Sequence, residues 1–122
     1  MPDVDLAVIR SRFATGWPPS VLSGQPGWHG LIVELDRALV EVMPDIQYNE
    51  IKQKYGTLRV YVEQGDPRVN ALICEAEQRA ARTCEICGGP GRLRQRKISR
   101  WLKTLCDGCA EEQGYGKVVK GD

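Results

Sequence analysis

The pattern of the chain predicts an α+β fold, with helices plus a β-hairpin and a C-terminal four-cysteine module. Three observations carry that expectation. Apolar residues recur at three- and four-residue steps in three segments, LRVYV alternates apolar and polar residues beside a glycine, and four of the five cysteines form two CxxC pairs. The 122 residues carry 42% hydrophobic and 27% charged side chains and a net charge of +1. That composition excludes disorder, collagen and coiled-coil repeats as the main architecture, and the length suits one domain or one domain with a small appendage.

A first helix is expected from Val4 to about Ala14, with Leu6, Ile9 and Phe13 on one side. Thr15-Gly16-Trp17-Pro18-Pro19 should stop it, because proline removes a backbone donor and biases the preceding residue away from the helical region. A Gly/Pro/Ser-rich loop follows from Ser20 to Gly27. WHGLIVELDRALVEVMPD then reads as a second helix ended by Pro44-Asp45. Leu31, Ile32, Leu35, Leu39 and Val42 form its apolar stripe, and Glu34, Asp36, Arg37 and Glu41 face elsewhere.

Ile46 to Lys52 and Leu58 to Val62 read as the strands of a hairpin at about residues 46–63, with Gly56 supplying the freedom of the turn. Asp66 is placed to cap a third helix whose first position is Pro67. Its buried stripe is Val69, Leu72, Ile73, Ala76 and Ala80, and it runs to about Arg82. These elements make an α+β domain over residues 1–82. A four-cysteine module is expected over 83–116 and a frayed tail over 117–122.

All five cysteines lie in the second half. Cys84–Cys87 and Cys106–Cys109 are separated by 18 residues, a spacing suited to one tetrahedral zinc ion with four thiolate ligands. Each pair bites the ion from a tight knuckle, and the intervening hairpin returns the chain to deliver the second pair. Arg92 to Gln95 and Ser99 to Leu105 are its expected strands. AEEQ directly after Cys109 puts the second knuckle at a helix start, closer to a treble clef than to a flat zinc ribbon. Four cysteines fill the tetrahedron, so this is one structural Zn2+ and not a catalytic one. Cys74 reads as a small core residue beside Ile73.

His29 is the only histidine and reads as a polar residue at a helix start. No HxE, PCxxC, GxSxG, P-loop, GxGxxG or HExxH pattern occurs, so the chain is not expected to be an enzyme. An enzyme would need a pocket gathering His29, Cys74 or the Tyr48–Tyr61 region. No apolar stretch approaches the ~18 residues of a spanning helix, and MPDVDLAVIRSRF lacks a signal-peptide core. A soluble, cytoplasmic protein is the expectation.

Charge is unevenly placed. Residues 1–73 hold seven basic and nine acidic side chains, whereas residues 74–122 hold ten and seven. Between the knuckles lie Arg92, Arg94, Arg96, Lys97, Arg100 and Lys103, with Trp101 among them and no acid. Phosphates would attract those charges and a base could stack on the ring. The same charges would also offset the negative charge of a zinc ion bound by four thiolates.

GWHGLIVELD (Gly27–Asp36), KQKYGTLRVYV (Lys52–Val62), ARTCEICGGPG (Ala81–Gly91) and WLKTLC (Trp101–Cys106) occur in an order that resembles a group of small proteins of bacteriophages and prophages. In that group a similar helix precedes a K-x-K-aromatic-G-x-L-R hairpin and a CxxC zinc segment. The resemblance covers about residues 27–110 and implies a small zinc-binding phage protein, without an assigned activity. The expected function is a non-catalytic accessory factor acting by protein–protein interaction with a host component. The alternative is a nucleic-acid-binding protein using the basic hairpin.

Overall fold

The computed structural model describes residues 2–13 and 24–119. Helix α1 (Pro2–Ser11) buries Leu6 and Ile9, as their spacing requires. It ends earlier than expected. Phe13 is buried beyond the helix, in a parallel bridge to Tyr48 with ring centroids 5.5 Å apart. The expected stop at Thr15–Pro19 lies outside the described residues.

A single 3-10 turn (Pro26–Trp28) leads into helix α2 (His29–Val42). Leu31, Ile32, Leu35 and Leu39 are buried as expected, and Val42 is partly so. Asp36 is the correction on this helix, since it faces inward and is buried. Its carboxylate accepts from Arg12 Nε at 2.9 Å and from the Tyr48 hydroxyl at 2.8 Å, the partnership that a buried charge requires. Burial and the Asp36 carboxylate together push Tyr48 ionisation far above its ordinary range.

Strands β1 (Tyr48–Lys54) and β2 (Thr57–Val62) form the expected antiparallel hairpin, with β1 two residues later than predicted. A register shift between Tyr48 and Glu50 lets Tyr48 and Ile51, three positions apart, both face the core. Leu58 and Val60 join them by simple alternation. Helix α3 (Pro67–Ala80) is capped by Asp66, which accepts from the amides of Arg68 and Val69. Val69, Ile73, Ala76 and Ala80 face the core, and Glu77 accepts from the amide of Val60 at 3.1 Å. Cys74 corrects its core assignment: it is exposed, one position off that stripe, and receives only the Gln78 side chain at 3.5 Å.

Strands β3 (Arg92–Arg96) and β4 (Leu102–Leu105) form the second hairpin, followed by helix α4 (Asp107–Gln113) and strand β5 (Tyr115–Val118). The sheet order is β4-β3-β5, antiparallel throughout. Strand β5 corrects the expected tail, because residues 117 and 118 pair within the sheet instead of fraying from it. No helix among the described residues is long and apolar enough to cross a membrane.

Candidate metal centre

The Sγ atoms of Cys84, Cys87, Cys106 and Cys109 all lie within 4.8 Å of one another and form a group that could hold a metal ion. Cys87 Sγ and Cys106 Sγ are 3.7 Å apart. Metal–sulfur bonds of about 2.3 Å in a regular tetrahedron give sulfur–sulfur edges of roughly 3.8 Å, so the donor set fits such a centre. The first pair lies on a knuckle between α3 and β3. The second straddles the start of α4, with Cys106 as its N-cap and Cys109 in its first turn. Knuckle, hairpin and helix are thus arranged as in a treble clef.

Backbone amides point at the sulfurs. Gly89 donates to Cys87 at 3.5 Å and Cys109 donates to Cys106 at 3.4 Å. Burial opposes ionisation of Cys84, but the amides of Cys87, Cys106 and Ile86 outweigh it and draw the thiol down to about 7. Cys109 is pushed well above the ordinary thiol range, first by its hydrogen bond to Cys106 and then by burial and Cys84. At Cys87 the Gly89 amide favours the thiolate, but Cys84 and Cys106 outweigh it and raise the thiol. A cation held among clustered sulfurs favours their thiolate forms.

The knuckle is seated on the α+β body by contacts that no sequence motif announces. Gly27 donates to the Glu85 carbonyl at 2.8 Å. A Cβ on Gly27 would fall 2.1 Å from the Cys84 carbonyl oxygen and 2.6 Å from the Gly88 nitrogen, so only glycine permits this approach. Trp28, fully buried, donates its indole N–H to the Thr83 carbonyl at 2.9 Å. The Glu85 carboxylate is also fully buried. It accepts from the Thr104 amide at 3.0 Å and from Gln53, while burial pushes its carboxyl up. The Thr104 hydroxyl donates to the Gly56 carbonyl at 2.8 Å.

The basic residues between the knuckles divide into two groups. Arg92, Arg96, Lys97, Arg100 and Trp101 are exposed. Lys103 is half-buried, donating to Gln113 at 2.9 Å with its ammonium 5.5 Å from the Tyr115 ring centroid. Arg94 cannot serve an outward-facing surface, because it is buried. Its guanidinium donates to the Leu105 carbonyl at 3.0 Å, to the Gly116 carbonyl and to Asp107, which opens α4. It thereby joins β3 to β4, α4 and β5 beside the sulfurs. His29 opens α2 as expected, and its Nε2 is buried with no hydrogen-bond partner among the described residues.

Comparison with protein-family models, curated proteins and solved structures returns no match for this chain.

Proposed function

We propose that the chain is a non-catalytic binding protein in which one zinc ion, held by Cys84, Cys87, Cys106 and Cys109, fixes a basic hairpin to an α+β body. The observation that carries this reading is the convergence of all four sulfurs within 4.8 Å, with amides aimed at them. Thiolates favour zinc, whose preferred tetrahedron they fill. A filled tetrahedron leaves no position for water or substrate, so the ion holds the fold and performs no chemistry. Zinc with four thiolates is a dianion, and the Gly89 and Cys109 amides that donate to the sulfurs help to compensate it.

The test is elemental analysis of carefully prepared protein together with chelation. About one zinc per chain, and loss of the β3–β4 unit before the rest on removal of the ion, support the reading. Protein folded without metal, or with the sulfurs in disulfides, overturns it.

A cytoplasmic phage accessory factor acting on a host protein draws its support from the segment order and from the near-neutral charge. A nucleic-acid partner draws support from a specific surface, because Arg92, Arg96, Lys97, Arg100 and Trp101 all face solvent on or beside one hairpin. Capture from bacterial lysate with and without nuclease separates the two. A partner retained after nuclease treatment favours the host protein, and nucleic acid lost on treatment favours the surface reading.

A further inference from the structure

Two exposed aromatic rings, distant in sequence, line a single cleft. Tyr55 lies in the turn of the first hairpin and is 71% exposed, and Trp101 immediately precedes β4 and is 68% exposed. The cleft between them has a volume of about 490 Å3, within the range of sites that hold small organic groups. Lys52, Lys54 and Arg100 supply its charges, and no acid lines it. Among the described residues Lys54 and Arg100 have no ion-pair partner, while Lys52 meets Glu50 at 3.3 Å.

Folding alone does not account for these side chains. Tyr55 holds a φ of 53°, in the left-handed region that bulky residues avoid and that Asn or Gly ordinarily occupies in such turns. Its ring is nevertheless presented to solvent, with Lys54 Nζ 5.7 Å from the centroid. Lys52 Nζ lies 5.9 Å from the Tyr61 ring, and exposed Arg59 stands opposite Lys52 in the hairpin register. Aromatic faces interleaved with cations therefore continue from the cleft along the hairpin. Strain retained at an exposed ring, and large rings left in water, both mark a surface that meets a partner.

We infer that this cleft binds single-stranded nucleic acid, bases stacking on Tyr55 and Trp101 and phosphates meeting Lys52, Lys54 and Arg100. The inference rests on the binding-protein reading above and names its ligand. A single strand offers a flat face and a negative charge at every residue, matching both features of the cleft. A duplex hides its base faces, and an acidic peptide would answer the charges but not the rings.

Fluorescence anisotropy on the purified chain tests this, using a labelled oligothymidine strand, the corresponding duplex and an acidic peptide, each at two salt concentrations. The strand should bind at least about tenfold more tightly than the duplex, with affinity falling as salt rises. Trp101→Ala and Tyr55→Ala should each weaken it by about tenfold, while Trp101→Phe keeps most of the affinity. Lys54→Ala combined with Arg100→Ala should flatten the salt dependence, by about 0.7 in the log–log slope for each phosphate no longer neutralised. Duplex bound as tightly as the strand, affinity unmoved by Trp101→Ala, or preference for the acidic peptide overturns the inference. Zinc content measured on the same samples separates the two levels. Absence of strand binding with about one zinc per chain overturns the cleft alone, whereas absence of zinc overturns the reading beneath it.

Discussion

Gln53 of β1 donates its side-chain amide to both carboxylate oxygens of Glu85, at 3.0 and 3.2 Å, although Glu85 lies between the two cysteines of the first knuckle. The same carboxylate accepts from the Thr104 amide, so one fully buried side chain connects the first hairpin, the knuckle and β4. Glu85→Ala would leave the buried Thr104 amide without an acceptor and Gln53 with only the Leu102 carbonyl at 3.4 Å, at a cost of about 1–3 kcal/mol for the buried amide. Glu85→Gln keeps one acceptor oxygen and should fall between the alanine variant and the parent. Chemical denaturation of the three proteins measures the order.

Gly27 should tolerate no side chain. Its neighbours on the approach side are backbone atoms of Cys84, Glu85 and Gly88, which cannot rotate away. Gly27→Ala is therefore expected to cost about 2 kcal/mol or more and to lift the knuckle from the body. Two readouts should move together: a lower melting temperature and, in metal-loaded protein, faster loss of the ion to a chromophoric chelator.

Helix α3 should weaken in acid. The Val69 amide, followed by the Arg68 side chain, holds the Asp66 carboxyl below its ordinary value of 3.8. A carboxyl depressed in the folded state stabilises the fold above its unfolded value, and that contribution is lost as pH falls through the folded one. Amide protection at the start of α3, taken relative to the intrinsic exchange rate at each pH, should fall below about pH 4, where the unfolded carboxyl begins to bind its proton. Asp66→Asn should abolish that part of the pH dependence, and an unchanged profile in the variant would contradict the assignment.

Arg94 and Arg96 should respond differently to the same substitution. Arg94 is buried with carbonyl and carboxylate partners, so Arg94→Ala should destabilise the β3–β4–β5 sheet by about 2–4 kcal/mol. Arg96 is exposed, and Arg96→Ala should lie within about 0.5 kcal/mol of the parent. Thermal unfolding of the pair distinguishes a structural arginine from a surface one.

Features written in neighbouring residues were legible in the sequence. Alternation in Leu58–Val62, the Asp66-Pro67 helix start and the paired cysteines all appear where short-range chemistry places them. Asp36 was misleading because the polar positions around it face solvent, and only Arg12 and Tyr48 make its inward position tolerable. Cys74 follows Ile73 in sequence but stands about 100° further round the helix, outside the buried stripe. Strand β5 lacks a clear alternation, and its partner β3 lies some twenty residues earlier. Gly27, Gln53, Gly56 and Thr104 touch the knuckle or its hairpin only after long loops close, so no local pattern records them.

The hydroxyl of Thr104 reaches the carbonyl of Gly56, and these two residues stand three positions after Trp101 and one after Tyr55. That hydrogen bond ties the turn that carries Tyr55 to the strand that runs from beside Trp101 to Cys106. With the proposed ion in place, chelation would blunt strand capture at a cleft the ion does not touch.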